Sequence, residues 1–213
     1  MLTVGNDAWP LPIPIVRSGG RWRFDSAAGS QELINRRIGR NELLTIRTLL
    51  AAVDAQRDYF ERIKAGTGTG AYAERILSTP GHTDGLFWPV SEGEPPSPLG
   101  PLVDQVQGEG YPGAANRAGK QLPYHGYLFR MLKSQGPDAP GGAKDYLQNG
   151  RLTGGFAFLA WPAIYGSSGI VTFQVNQDGV VFQKNLGPNT ARVAAAWTRF
   201  DPDLTWARID ISD

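Results

Sequence analysis

The stretch VTFQVNQDGVVFQKNLGP, residues 171–188, decides the fold class. Val171, Phe173 and Val175 alternate with Thr172, Gln174 and Asn176. After Asn176-Gln177-Asp178-Gly179 comes a second apolar run, Val180-Val181-Phe182. Alternation with a period of two marks a strand whose faces differ. An Asx residue with a glycine three places on, between two such runs, reads as a four-residue hairpin loop. Gly179 then takes the positive φ, and Asp178 bonds its own backbone. A calcium loop needs several more oxygen ligands at fixed spacing than this one offers. The polar knot is therefore a turn between antiparallel strands.

Outward from this hairpin, further strands are expected at 124–133, 153–161, 169–176 and 179–185, with a short helix over 188–198. Near the start, residues 11–17 and 20–24 flank Ser18-Gly19 and read as a second hairpin. Pro12 and Pro14 cannot donate to a ladder, which makes its first strand an edge, and Trp22 and Phe24 share one face. Asp25 or Ser26 caps a helix to about Arg37 that Gly39 stops. Asn41 caps the next, to about Ala65, with Gly66 as its stop. Along that second helix Leu43, Ile46, Leu50, Val53, Phe60 and Ile63 fall near helical spacing, with Leu49 beside them. Arg47, Asp54, Asp58, Glu61 and Arg62 form the opposite, solvated face. A short helix is expected from Tyr72 to about Leu77, and 88–123 is a long Pro- and Gly-rich loop.

These elements predict an α+β fold: an antiparallel sheet packed on a long spine helix, with an N-terminal β-hairpin. Two parts are expected, the hairpin over 1–25 and a helix-plus-antiparallel-sheet domain over 26–213. Met1 runs straight into Leu-Thr-Val, which reads as the interior of a strand, so a further region ahead of the hairpin is expected.

The chain carries 21 Lys+Arg against 20 Asp+Glu, so no global field draws it to nucleic acid or anionic lipid. Its apolar runs are far shorter than a membrane span, and residues 1–30 show no signal peptide. Cysteine is absent, which excludes disulfides, zinc–thiolate sites and cysteine nucleophiles.

The catalytic candidates are few. His125 is read on a strand, and His82 on a loop with Asp84, Glu92 and Glu94 nearby in sequence. Imidazole with carboxylates can serve acid–base or metal chemistry. His125, Asp84 and Glu92 are therefore the residues an envelope hydrolase or metal-dependent enzyme would use. Packing or surface roles are the ordinary alternative, and no catalytic residue, metal site or cofactor is assigned. Gly166-Ser167-Ser168-Gly169 lacks the glycine spacing and following helix of a nucleophile elbow and reads as a turn. The GTGTG run, residues 66–70, has no strand before it and no Lys after it, so it is a helix stop and not a phosphate loop. Trp88, Tyr124, Tyr127, Trp161 and Tyr165 could line a groove for a glycan or a peptide, against the simpler reading that each anchors a strand end.

FDSAAGSQELINRRIGRNEL, LFWP, EGEPPSPLGPL, PYHGYLFRML, QGPDAPGGAKDY and GGFAFLAWPAIYGSSGIVTFQVNQDGVVFQKNLGP occur in one order along nearly the whole chain. Together they resemble domain-of-unknown-function family 2950, uncharacterised bacterial proteins commonly made with signal peptides. The resemblance implies a periplasmic or cell-envelope location and a non-catalytic structural or binding role, with another envelope protein or a glycan as partner. It brings no established active site; His125 falls in its PYHGY motif. The long helix with AVDAQRDYF followed by HGYLFRML, GGFAFLAWP and GIVTFQVNQDGVVFQK also looks like the globular part of type IV pilins and pseudopilins. The apolar, membrane-embedded half of a pilin spine is absent here.

The hairpin reading carries a test. Gly179→Val places a β-branched residue where φ is positive and lowers the melting temperature well beyond a surface change. An unchanged melting temperature would show that the turn is built differently.

Overall fold

The computed structural model describes residues 2–103 and 122–210. Along the chain run β1 (Thr3–Val4), β2 (Trp9–Pro10), β3 (Ile15–Ser18), β4 (Arg21–Phe24), α1 (Ser26–Thr67), β5 (Arg75–Leu77), β6 (Gly85–Phe87) and β7 (Tyr127–Leu132). There follow β8 (Ser134–Gln135), β9 (Lys144–Asp145), β10 (Leu147–Gln148), β11 (Arg151–Leu152), β12 (Ala157–Pro162), β13 (Thr172–Asn176), β14 (Val181–Lys184), α2 (Thr190–Ala196) and β15 (Ala207–Arg208).

The sheet has the order β15-β14-β13-β12-β7, with every neighbouring pair antiparallel. The β13–β14 connection is the expected four-residue loop: Val175 pairs with Val181, Gly179 holds φ at 76°, and its N–H donates to the Asn176 carbonyl. Register assigns the faces. Phe158 sits opposite Val175 and Ala160 opposite Phe173, on the same face as Tyr127. Leu159, Arg130, Gln174 and Phe182 lie side by side on the other. Tyr127 reaches α1 from the first face, and Arg130 reaches the end of α2 from the second. The sheet is thus the middle of three layers, and β12 is buried along its whole length.

Two helices were expected before residue 66, and one continuous helix of 42 residues forms instead. Asp25 caps it by accepting from the Ala28 N–H at 3.1 Å. Gly68, with φ 76°, ends it by donating to the Lys64 carbonyl. Gly39 does not stop the helix. A helical glycine costs only about 0.5–1 kcal/mol, while restarting a helix after a break means a second unfavourable nucleation. Asn41 is an interior residue, not a cap.

The buried stripe of α1 is rotated from the expected one. Leu49, Ala52, Val53 and Tyr59 join the core, Leu50 is half-buried, and Leu43 is 63% exposed. Gln56, fully buried, explains the rotation. Its amide accepts from the Ala73 N–H at 2.8 Å and donates to the Ala73 carbonyl at 2.9 Å. Arg47, Asp54, Asp58, Glu61 and Arg62 are exposed as expected.

The short helix expected over Tyr72–Leu77 is absent. That segment is extended and ends in β5, which pairs in parallel with β6. Gln56 holds Ala73, the Leu152 carbonyl takes the Tyr72 N–H, and Gly70 lies flat on Phe60, where a Cβ would come within 2.1 Å of the ring. Long-range bonds override local helix preference here. In the N-terminal hairpin the turn is Gly19-Gly20, with φ of 57° and 77°, one residue later than expected. Half of the long loop expected over 88–123, residues 104–121, lies outside the described residues.

Gly39→Ala separates the corrected helix from the expected one, and Leu49→Ala with Arg47→Ala tests its buried face. Gly39→Ala, with open space around the new methyl, stabilises the protein by about 0.5–1 kcal/mol if the helix is continuous, and destabilises it if Gly39 is a left-handed stop. Leu49→Ala costs about 2–5 kcal/mol in urea titration, whereas Arg47→Ala stays near zero.

Candidate functional site

His125 is not on a strand. Tyr124 and Tyr127 exchange two backbone hydrogen bonds, at 2.8 and 2.9 Å, so His125 and Gly126 form a two-residue turn with φ of 45° and 75°. β7 begins one residue after that turn, at Tyr127. The imidazole is buried, with its centroid 4.0 Å from the Tyr124 ring. Sequence alternation cannot distinguish a strand from the turn that starts it, and the positive φ falls on a histidine where glycine or asparagine would have signalled it.

Below this turn lies a polar latch between α1 and the sheet. Glu42 Oε1 accepts the N–H groups of Ile170 and Val171 at 2.9 and 3.2 Å. Asn41 Nδ2 donates to the Ser168 carbonyl at 2.8 Å. The Tyr127 hydroxyl donates to the Val171 carbonyl at 2.9 Å and stands 3.5 Å from Glu42 Oε1. Burial first, and then the Glu42 charge, push the Tyr127 phenol far up, so it stays a donor. Gly169 has to be glycine: a Cβ there would come within 2.1 Å of the Tyr127 oxygen. The Gly166–Gly169 loop is a turn, as expected. Ser168 Oγ bonds both the N–H and the carbonyl of Ile164.

Of the carboxylate candidates, Asp84 is committed to its own loop. Asp84 accepts from the Thr79 N–H at 2.7 Å and the Thr79 hydroxyl at 2.8 Å, with Arg75 3.4 Å away. The Thr79 bonds chiefly, and the Arg75 charge less, hold this carboxyl below its ordinary value of 3.8. Its contribution to stability is complete above that value and is lost as the pH falls through the lowered one. Glu92 is exposed, and so is His82. Among the described residues, no three His, Asp or Glu side chains are grouped to hold a metal ion.

The aromatic candidates form no single shelf. Tyr127 and Trp161 lie on opposite faces of the sheet. Trp161 is buried with the Arg130 guanidinium 5.1 Å from its ring. Trp88 packs against the core, and the Tyr165 hydroxyl donates to Asn185 Oδ1 at 3.1 Å.

Sequence reasoning missed the cleft beside α2. Its volume is about 780 Å³, and Pro137, Asp138, Arg192, Trp197, Arg199, Asp201 and Asp203 are among its lining residues. Arg130 builds one wall from behind. Its Nη1 donates to the carbonyls of Ala194, Ala195 and Trp197, which closes the C-terminus of α2. Asp201 builds another. Its Oδ1 accepts the Asp138 N–H at 2.9 Å, and its carboxyl occupies the space a Cβ on Gly136 would need. Asp203 accepts from Thr205, which holds its carboxyl low with a smaller contribution from Lys184. Trp197 packs edge-on against Trp206 at 5.6 Å. Arg192 and Arg199 are exposed, with no ion pair or side-chain hydrogen bond among the described residues. The run AAWTRFDPDLTW, residues 195–206, holds the aromatic and charged residues that signal the cleft, but no periodicity shows that they converge.

A family model described as "Protein of unknown function (DUF2950)" matches residues 1–209. No curated protein and no solved structure matches the chain.

The latch predicts an ordered pair of variants. Glu42→Ala strands two backbone donors and costs about 1–3 kcal/mol. Glu42→Gln keeps an acceptor oxygen and costs less, as read by chemical denaturation; equal costs would show that the oxygen bonds contribute nothing.

Proposed function

The chain belongs to the DUF2950 family, and on that premise we propose that it is a non-catalytic binding protein of the bacterial envelope whose ligand is a glycan held in the cleft beside α2. The observation that carries this reading is the pair of uncommitted guanidinium groups, Arg192 and Arg199, set among fixed aspartates around Trp197. Planar guanidinium and carboxylate groups make paired hydrogen bonds to hydroxyls and acidic substituents, and an indole offers a face to a sugar ring. A ligand site of this kind is concave, with few polar groups aimed inward.

The candidate acids and bases support a non-catalytic role by the work they already do. Asp84 ties down the 79–85 loop, His125 fills a turn, and Tyr127 is bonded beneath it. The envelope placement rests on the resemblance to a family commonly made with signal peptides. No described helix is long and apolar enough to cross a membrane.

Titration of isotopically labelled protein with soluble envelope glycan fragments is the direct test. Amide shifts are expected over residues 192–203, and Arg192→Gln or Arg199→Gln weakens binding about tenfold or more. Elemental analysis is expected to find no stoichiometric transition metal. Shifts centred on His125, one equivalent of metal lost in His125→Gln, or glycan hydrolysis by the purified protein would replace this reading with an enzymatic one.

A further inference from the structure

We propose that the β3–β4 hairpin is a docking surface for an anionic phospholipid bilayer. The inference goes beyond the glycan reading and stands whether or not the cleft holds a sugar. Residues 15–24, IVRSGGRWRF, hold three arginines and no carboxylate, in a chain whose net charge is only +1. Register places Ile15 opposite Phe24 and Arg17 opposite Trp22, so these four share one face. On that face Trp22 is 69% exposed, Phe24 56% and Ile15 43%. The hairpin is therefore amphipathic, with its apolar face turned outward and its charge of one sign.

Local structure explains why that face stays open. The segment just before the hairpin docks on α1: Ile13 lies against Gly29, where a Cβ would sit 2.9 Å from its side chain. The Asp25 N–H closes the base on the Pro14 carbonyl. Contact with the helix is thus made by the stem, and the strands beyond it end in the Gly19-Gly20 turn. Arg37 and Arg40 on α1 are also exposed, without ion pairs among the described residues.

The chemistry selects the partner. Trp and Phe settle at the boundary between headgroups and acyl chains, and arginines reach from the same depth to lipid phosphates. Each basic residue near an anionic surface contributes a factor of about five in affinity. A second copy meeting through the same face would bring Arg17 against Arg17 and two hairpins of like charge together, which opposes that pairing.

Co-sedimentation with vesicles tests the proposal, using the full chain and two compositions, phosphatidylcholine alone and phosphatidylcholine with phosphatidylglycerol. Binding is expected to the second composition and to weaken with added salt. Each of Arg17→Gln, Arg21→Gln and Arg23→Gln should weaken it about fivefold, while Arg→Lys at the same positions retains it. Trp22→Ser with Phe24→Ser should abolish it. Because these side chains are exposed, the melting temperature of each variant stays near wild type, which separates lost docking from lost folding. No binding to phosphatidylglycerol vesicles at low salt, or undiminished binding by the Trp22→Ser, Phe24→Ser protein, overturns the proposal. So does a dimer in sedimentation equilibrium that Trp22→Ser abolishes, which would assign the face to a second copy.

Discussion

The carboxylate of Glu42 fixes the helix to the sheet. One oxygen takes two backbone N–H groups from the chain entering β13, and the Asn41 amide beside it holds the carbonyl of Ser168. Those two N–H groups lie just ahead of the β13 ladder, one exposed and one half-buried, and α1 supplies the acceptor for both. A helix that supplies it is held in rotation and in position along its axis. The apolar contacts of Leu49 and Val53 add the larger share of stability, but such contacts are non-directional and tolerate sliding. Gly126 and Gly169 matter for the same reason. Each lets backbone approach the latch where a Cβ would collide with Asn41 or Tyr127.

The opposite face is organised by a second polar device. Arg130 projects from β7, lies over Trp161, and gathers three carbonyls at the end of α2. Those carbonyls would otherwise end the helix unsatisfied. Gln174 on β13 accepts the N–H of Asp201, so the segment after α2 returns across the same face. The cleft follows from these two attachments. Its walls are fixed by Arg130 and Asp201, and its free groups, Arg192 and Arg199, are left on the rim.

A buried polar network also sits behind the β13–β14 turn. The Tyr146 hydroxyl donates to Gln135 Oε1 at 2.6 Å, and the Gln135 amide donates to the carbonyls of Pro140 and Gly142. Asn176 joins the network while bonding Asp178 across the turn. The turn residues are thus structural twice over, which is why a polar knot in the sequence marks a core boundary here and not a ligand site.

The sequence by itself determined the strand faces, the Gly179 turn, a helix start at Asp25 or Ser26 and the charged side of the spine helix. Each of these depends on residues a few positions apart, where periodicity and turn chemistry act directly. The tertiary structure decided the rest. It carried α1 through Gly39, turned its buried stripe toward Gln56 and away from Leu43, drew 72–77 out of a helix, and set His125 in a turn. It also brought Trp197, Arg192 and Asp138 to one cleft. These outcomes hang on bonds between residues far apart in the chain, such as Gln56 with Ala73 and Glu42 with Val171. No local pattern encodes such a bond, because its free energy appears only when the fold has already placed both ends within reach.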